Sequence, residues 1–595
     1  MKVQATNAAH RAITEVQLQA AAEAATIEAA QAQEAVQAEA EVQADIEDKH
    51  LEMKKITTTI LMTLASVAVF AQNANDAYMF SENLYEGTAR TMAMGNAFTA
   101  LGGDLGSLNI NPAGSAVAGY SQFTVTPSLT FTINTAQGAP LPGTSSQPGY
   151  FQDRIKTNTF DTGLPNAGFT FSLKTGRDSG LKNITFGLIC NQTNSWNGEV
   201  MATGTNATTS FMGAVANTAY LNGYRGSDLG AADAFDFMPW REVAAFQSGM
   251  ISTFGGMDDN FVGASEAVNY DAENDTYNIY LAGPLKQTFN RDVTGYKNDF
   301  VLNFGGNISD FIYVGVNLGF TSIFYNENWY LTESAINQND FEIMLDDGET
   351  MYFQKMRYDY GYTAEGSGVY GKFGIIVTPG NGLRLGAAVQ TPTVFTMDET
   401  WTQDGQTEFS TGKYTSYSPY GSAQYSFRSP MRANFGLAYT YGSLGLISVD
   451  YEMSDYSTMR YDTSNADREY FSAVNEDIQN RFGVSHMVRA GVEIKPLPEL
   501  AIRAGYSLTT SGEIRDAWGG RLEPKKTQTA SFGLGYSSKG SFFADAAIQS
   551  RFLGKEYFMP YEDYTDEEGN ILEYAPEIVN NRSFLKAVIT FGWRF

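Results

Sequence analysis

Cysteine and histidine are scarce in this 595-residue sequence, which contains one Cys and three His. A single cysteine, Cys190, cannot form an intramolecular disulfide, so a disulfide scaffold is excluded. Two of the histidines, His10 and His50, lie in the first 50 residues, which leaves only His486 in the rest of the chain. No histidine pair is available for a metal site or a catalytic triad. We therefore expect no enzyme activity, no metal and no cofactor.

Basic charge and long apolar runs are also lacking. The sequence has 39 Lys and Arg against 66 Asp and Glu, a net charge of −27, which would repel the phosphates of nucleic acid. The mean hydropathy is −0.25, and no apolar run reaches the roughly 18 to 20 residues of a spanning helix. If the chain spans a membrane, it does so as strands.

The N-terminal region carries a targeting signal in an unusual place. Residues 1–52 are a low-complexity Ala/Gln/Glu tract without Gly or Pro. Residues 53–71 then read as a signal peptide, with a basic start at Met53, an apolar stretch, and a small-residue cleavage site before Gln72. The simplest hypothesis is that translation begins at Met53, and the alternative is a helical extension. Without a cysteine near the cleavage site, a lipoprotein is excluded.

From Tyr120 onward, the sequence alternates with a period of two, which is typical of strands with two different faces. In the last segment, Leu585, Ile589 and Trp593 fall on one face, while Lys586 and Arg594 fall on the other. Aromatic residues make up 13% of the chain, which suits strands with interfacial aromatic girdles. By the same alternation Cys190 falls with Phe186 and Leu188 on an apolar face, which predicts an unreactive thiol.

The connections alternate between tight turns and long acidic loops, as in barrels with short periplasmic turns and long external loops. Six tight turns predict an all-β fold: a membrane-spanning, antiparallel, up-and-down β-barrel of about 14 strands, occupying residues 119–595. A soluble sandwich is the alternative, but it would not need the terminal Phe595. The predicted strands are 120–133, 163–174, 182–198, 293–307, 310–328, 358–378, 382–400, 429–441, 444–456, 482–495, 499–510, 526–537, 541–556 and 582–595.

Two segments depart from the strand pattern. Residues 199–292 form a large external insertion, in which Pro239 could open a short helix, so we expect a folded cap over the outer mouth. Residues 72–118 contain Ala89 to Gly114, with five glycines and the turn Asn111-Pro112-Ala113. This composition, directly ahead of the strands, predicts a hatch that plugs the barrel lumen. Gly102 to Gly106 lacks the Gly-Lys-Ser/Thr ending of a phosphate loop.

The order of a signal peptide, a plug and about fourteen strands ending in Phe resembles the FadL/TodX family of outer-membrane transporters for hydrophobic compounds. The matching residues, which extend over the plug motif, are Gly87, Arg90, Gly95, Ala97, Ala100, Asp104, Asn111, Pro112 and Ala113. The insertion at 199–292 departs from the family and puts the capture surface in question.

The resemblance implies a bacterial outer-membrane protein that takes up hydrophobic molecules, with long-chain fatty acids as the default. The ligand would be captured among external loops, pass near the plug, and leave sideways through a gap in the wall. It also implies a monomer in contact with membrane lipid, delivered by the barrel assembly machinery through Phe595. The alternatives are a scaffold or shuttle partner of a protein secretion machinery and a receptor for another hydrophobic ligand such as heme. A small-solute porin is disfavoured because the plug would occlude the lumen.

Several residues are candidates for the site. Inward-facing arginines Arg384, Arg432 and Arg503 are expected to pair with acidic wall residues and plug backbone, or one of them could meet a ligand carboxylate. The polar stretch from Cys190 to Asn194 is the nearest candidate for the wall gap, or it is a strand entering the polar interface. The acidic clusters at 346–349 and 562–568 lack the spacing of a calcium loop and are interpreted as solvated external charge.

Overall fold

The computed structural model describes residues 73–141, 149–271, 276–345, 348–463, 468–516 and 521–595. The predicted extension 1–52 and signal peptide 53–71 lie outside the described residues, as do Asp346 and Asp347 of the first acidic cluster. Among the described residues, none of the helices is long and apolar enough to cross a membrane.

Fourteen antiparallel strands form a closed barrel, which confirms the predicted fold class. Strand β14 pairs with β1, for example through Val125 and Phe591, and this pairing closes the wall. The strands are β1 Gln122–Gly138, β2 Ile155–Lys174, β3 Leu181–Ser195 continued by Gly198–Asn206, β4 Leu285–Ile308, β5 Ile312–Ala335, β6 Thr350–Gly380, β7 Leu383–Gln390 continued by Val394–Phe409, β8 Gly421–Arg428 continued by Arg432–Tyr441, β9 Gly445–Asp455, β10 Val484–Leu497, β11 Leu500–Thr510, β12 Lys526–Ser537, β13 Phe542–Phe558 and β14 Ile578–Arg594.

The two faces of the barrel wall lie in different environments. On β14, Leu585 and Ile589 point outward and are 44% and 46% exposed, while Thr590 points inward and is fully buried. Arg503 of β11, predicted to point inward, is 6% exposed. An outer band of exposed aliphatic and aromatic side chains without balancing charge is the surface that a membrane barrel presents to lipid. The protein is therefore a membrane-spanning β-barrel.

The two ends of the barrel differ in how far the strands and their connections extend. At one end the turns are tight, and residues such as Ser309, Asp310 and Asn381 adopt positive φ angles of 58°, 55° and 52° there. At the other end several strands extend well beyond their predicted ends. The prediction missed these extensions because their outward-facing residues are polar and do not show the apolar alternation of a lipid-facing strand. The predicted insertion 199–292 is therefore too long: Gly198–Asn206 of β3 pairs with Leu285–Val293 of β4.

The segment between these paired strands forms a folded cap, defined here as residues 207–284. It contains helices α4 Phe211–Leu221, α5 Gly226–Leu229 and α6 Trp240–Gln247, and two hairpins, Ile251–Thr253 with Phe261–Gly263 and Glu266–Asp271 with Thr276–Leu281. The last helix begins directly after Pro239, as predicted. Phe211, Val215 and Val243 are fully buried in a core that also includes Tyr561 and Ile578 from the β13–β14 connection and its flank. The cap is therefore an integral part of the external end.

The plug, residues 73–118, lies inside the lumen. It consists of helices α1 Ala74–Ser81, α2 Ala89–Ala93 and α3 Gly114–Ala118, and a 3-10 turn at Leu105–Asn109. Each helix is short because glycines and turns interrupt it, and most of its residues are buried against the wall.

A further helix, α7 Arg468–Arg481, lies between β9 and β10, where the sequence indicated only a loop. It presents Phe471, Val474 and Ile478 to the buried aromatic cluster inside the lumen. Arg481 at its end donates to Asn75 Oδ1 of α1 at 2.7 Å. The lumen is thus filled from two directions, by the plug and by this inward-folded helix.

Candidate functional site

The plug is fixed to the wall by the residues of the predicted motif. Arg90 donates from Nε to Glu493 Oε2 at 2.9 Å and from Nη2 to Glu493 Oε1 at 3.3 Å. The same carboxylate accepts from Arg503 Nε at 2.6 Å, and Arg503 in turn reaches Asp545 Oδ1 at 2.5 Å. One arginine of the plug therefore joins a row of alternating charges that runs across β10, β11 and β13.

Asp104 and Asn111 shape the lower part of the plug. Asp104 caps the 3-10 turn by accepting from Gly106 N at 2.9 Å, and it also accepts from Thr88 Oγ1 at 2.6 Å. Asn111 Oδ1 accepts from Ala113 N at 3.0 Å, while its Nδ2 donates to Thr99 O at 2.7 Å. The amide of Asn111 also donates to Ile375 O of β6 at 3.2 Å. The Asn-Pro-Ala turn is thus a hydrogen-bonded link between plug and wall.

Pro112 and Gly95 make close backbone contacts with the wall. Asn303 of β4 donates to Pro112 O at 2.9 Å. Gly95 has a positive φ of 62°, and a Cβ atom at this position would lie 2.9 Å from Tyr506 N. Glycine is required here both for the backbone conformation and for the close approach.

Inward-facing glycines of the wall provide the matching space. A Cβ atom at Gly505 would lie 2.1 Å from Gly95 N, and one at Gly315 would lie 2.2 Å from the carbonyl carbon of Pro112. Comparable contacts face the plug from Gly305, Gly374, Gly386, Gly436, Gly491 and Gly533. This set of eight wall glycines, the glycine girdle, lets the plug backbone pack directly on the strands.

The three arginines proposed as ligand contacts all bind the protein itself. Arg384 donates to Leu101 O of the plug at 2.8 Å, and Arg432 donates to Ser81 O and lies 3.5 Å from Glu452 Oε1. Arg503 belongs to the charge row described above. Their contact with a ligand stays a prediction. In this structure Arg384 and Arg432 hold the plug to the wall, and Arg503 binds two carboxylates of the wall.

A cavity of about 450 Å³ opens below the plug, on the side of the tight turns, and is called here the vestibule. Arg90, Arg384, Arg503, Glu493 and Asp545 line it together with plug residues 101–104. Because charged groups surround it and the plug closes its upper end, the vestibule is a polar space that an apolar molecule would enter at a cost.

Above the plug, on the external side, buried aromatic residues pack together and fill the lumen, and this packed region is called here the aromatic chamber. Its buried members, contributed by the plug, the wall, α7 and the cap, include Phe80, Trp196, Trp240, Tyr325, Tyr362, Phe395, Trp401, Tyr425, Phe427, Tyr461 and Phe471. Tyr362 and Tyr425 both donate to Glu399, and Arg291 pairs with Glu327 at 2.6 Å. The aromatic chamber therefore combines apolar side chains with a few fixed polar groups.

The wall is interrupted between β2 and β3. Their ladder ends at Asn166 and Asn191, and above this point β3 pairs only with β4. A register shift between Gln192 and Asn194 marks the bend of β3. This register shift falls within residues 190–194, the stretch that the sequence indicated as the candidate for the wall gap. That stretch is distinctive because several consecutive amide side chains do not suit a lipid-facing strand.

Side chains rather than a ladder close this part of the wall, which we call the wall slit. Asn197 donates to Asp161 Oδ2 at 2.6 Å, and Thr157 donates to Glu199 O. Backbone pairing returns only as an isolated bridge between Asp153 and Thr203. The slit is therefore a segment of the wall whose two edges are joined by side chains and one isolated bridge instead of a continuous ladder.

The remaining candidates do not form sites. His486 lies on the outer face and contacts Tyr451 OH at 2.8 Å, so it cannot reach a ligand in the lumen. Among the described residues, no group of His, Cys, Asp and Glu side chains could hold a metal. In the acidic loop 562–568, Glu562 binds Arg241 of the cap and Glu567 accepts from Tyr220 OH at 2.7 Å. This cluster therefore connects the external loop to the cap rather than being only solvated.

No protein-family model and no curated protein matches the chain. Similar solved structures include a FadL homologue from Pseudomonas aeruginosa, with 11% identity and a TM-score of 0.44, and the toluene transporter TodX from Pseudomonas putida, with 12% identity and a TM-score of 0.43. The toluene transporter TbuX from Ralstonia pickettii has 12% identity and a TM-score of 0.41. Each alignment covers 86% of this chain and 99% of the other.

Proposed function

We propose that the protein takes up hydrophobic molecules across the outer membrane by passive passage, with entry from the external side and lateral exit through the wall slit. Long-chain fatty acids or similar molecules are the proposed substrates. The observation that carries this proposal is the combination of a plug that closes the axial route with a slit in the wall above that plug.

The arrangement of the lumen fits a hydrophobic substrate. The aromatic chamber lies above the plug, on the external side, and the wall slit lies beside it, because Trp196 belongs to the chamber and directly precedes Asn197 at the slit. The polar vestibule lies on the other side of the plug. For an apolar molecule, lateral exit through the wall slit is therefore energetically more favourable than passage past the plug into the polar vestibule.

Passage through the vestibule would cost a hydrophobic chain much of its free energy of transfer from water. Each CH₂ group gains about 0.8 kcal/mol when it leaves water, so a chain of about sixteen carbons would forfeit on the order of 12 kcal/mol in the watery vestibule. Lateral exit delivers such a chain into the hydrocarbon of the membrane instead. The resemblance of the plug motif to the FadL/TodX family supports the same route.

Deletion of Thr193 tests the proposal. Thr193 lies inside the register shift of β3, so its removal is expected to straighten the strand and extend the β2–β3 ladder across the slit. Thr193→Ala is the matched control, because it keeps the chain length and the backbone carbonyl that accepts from Leu84 N at 2.8 Å. Uptake of radiolabelled laurate and 1-dodecanol is measured in cells that lack the gene and carry each variant.

We expect the deletion to abolish gene-dependent uptake and Thr193→Ala to retain it. Correct folding is checked by the shift in electrophoretic mobility on heating. A folded deletion variant with wild-type uptake of both compounds would exclude the slit as the exit, and wild-type uptake equal to that of cells without the gene would exclude transport of these compounds.

A further inference from the structure

One inward-facing arginine makes no hydrogen bond to the plug and no ion pair among the described residues. Arg551 of β13 is 9% exposed, and its hydrogen bonds go to two neutral groups, Thr529 Oγ1 at 3.4 Å and Gln549 Oε1 at 3.3 Å. Among the described residues, no carboxylate lies within ion-pair distance of it. A buried cation with only two long, neutral contacts is costly, so its retention needs an explanation.

A second arginine lies next to it on the adjacent strand. Arg551 is directly opposite Phe584 of β14, and Arg582 lies two residues further along the same face, with its guanidinium 4.8 Å from the Phe584 ring. Residues in this diagonal position are close enough for long side chains to reach a common partner. The Nε atom of Arg582 is buried and has no hydrogen-bond partner among the described residues.

The charges that face this pair come from the plug and from β13. Glu86 of the plug is held by Lys586 of β14, and Glu556 lies 3.6 Å from Arg582 Nη1. Glu86 Oε1 is thus occupied by a lysine, while Glu86 Oε2 has no hydrogen-bond partner among the described residues. Glu556 is a long contact of one arginine only. The two guanidinium groups retain donors that no described carboxylate uses.

The position of the pair connects it to the wall slit. Arg582 Nη2 donates to Asn197 O at 2.9 Å, and Asn197 is the residue that bridges the slit to Asp161. On the other side, Leu553 and Thr527 continue the inward faces of Arg551 and Thr529, and both line a cavity of about 60 Å³ against plug residues 82–84. The pair therefore lies between a small luminal cavity and the slit.

We propose that Arg551 and Arg582 bind the anionic head group of an amphipathic substrate, specifically a carboxylate, beside the wall slit. This inference rests on the proposed function and adds the chemical class that the site selects. Two guanidinium groups offer several charge-assisted donors to the two oxygens of a carboxylate. A neutral hydrocarbon or alcohol would leave the same donors unused, so the pair would distinguish acids from neutral molecules of equal length.

The test compares binding of two probes that differ only in the head group, radiolabelled laurate and 1-dodecanol, to the full-length protein in lipid nanodiscs. We expect wild type to bind laurate at least tenfold more tightly than 1-dodecanol, and Arg551→Gln to lose about tenfold in laurate affinity with unchanged 1-dodecanol affinity. Arg551→Lys, which keeps the charge, should retain most of the laurate affinity. Arg428→Gln, at an exposed position, controls for the change in net charge.

Arg582→Gln provides a second, independent reduction of laurate affinity if Arg551→Gln does not fold. Unchanged laurate affinity in a folded variant, or equal losses for both probes, would overturn the proposal. The proposed function would survive that result if uptake of 1-dodecanol in cells still depended on the gene. If neither probe bound wild type or depended on the gene for uptake, both proposals would fall.

Discussion

Arg90 of the plug and Arg503 of the wall share one carboxylate, Glu493, which they approach at 2.9 Å and 2.6 Å. The side chain of Glu493 is 1% exposed. Because Arg503 also binds Asp545, the wall retains a complete set of ion pairs when Arg90 is removed. The contact between Arg90 and Glu493 can therefore be removed without leaving a buried charge alone.

Arg90→Gln is predicted to loosen the plug while the barrel stays intact. Loss of the two charge-assisted hydrogen bonds should cost about 1.5 to 3 kcal/mol in the seating of the plug. We expect more frequent channel openings in planar lipid bilayers and faster entry of small hydrophilic dyes into cells. Lys182→Gln removes an ion pair with Asp310 on an exposed turn and should leave the conductance unchanged. A conductance of Arg90→Gln equal to wild type would show that this ion pair does not seat the plug.

Replacing a glycine of the girdle by alanine is predicted to destabilise the protein, and Gly306 in the same wall provides a matched control. Gly505→Ala places a Cβ atom 2.1 Å from Gly95 N, whereas Gly306→Ala meets only side-chain carbons at 3.4 Å and 3.7 Å. The inward substitution should displace the plug and cost about 1 to 3 kcal/mol, and the outward one should remain within about 0.5 kcal/mol of wild type. Urea unfolding in lipid vesicles measures both. Equal stability of the two variants would contradict direct packing of the plug on the girdle.

The sequence was sufficient for the barrel because its alternation is strict. All fourteen strands lie where the period-two pattern placed them, and Arg503 points inward as predicted. Alternation works here because one face meets lipid, so a slip of one residue would expose an arginine to hydrocarbon. Above the membrane both faces can be polar, and the predicted strand ends fail there for that reason.

Other features could not be derived from the pattern. Helix α7 does have apolar residues at helical spacing, Phe471, Val474 and Ile478, and this signal would have identified it within the loop. The partners of the arginines, in contrast, carry no sequence signal. The alternation shows that Arg384 and Arg551 both face inward, but it does not show which plug carbonyl or carboxylate lies opposite each of them. Only the contacts made by the folded plug distinguish an arginine that binds the plug from an arginine that is available to a ligand.

The cap is predicted to become less stable as the pH rises. Burial raises the pKa of the Glu266 carboxyl to about 7, above its usual value of about 4.3. The folded cap therefore holds this proton more tightly than the unfolded chain, and its stability falls between about pH 4.5 and 7 as the carboxylate forms. We expect a loss on the order of 1 to 3 kcal/mol across this window.

Hydrogen exchange of the cap at pH 5 and pH 8, corrected for the intrinsic rates, measures this effect. Glu266→Gln keeps an acceptor for Gly263 N, which lies 2.8 Å from Glu266 Oε2, but cannot ionise. Protection in this variant should depend less on pH than protection in wild type. A dependence equal to that of wild type would assign the effect to another group.

The route of the substrate is tested most directly by photolabelling with a radioactive diazirine derivative of laurate or 1-dodecanol during uptake, followed by mass spectrometry of the labelled peptides. We expect label in the aromatic chamber and on both edges of the wall slit, at residues 157–166 and 191–197. Label concentrated in the vestibule, at Tyr120 and Arg384, with none at the slit, would show that the substrate passes the plug into the periplasm and would contradict lateral exit.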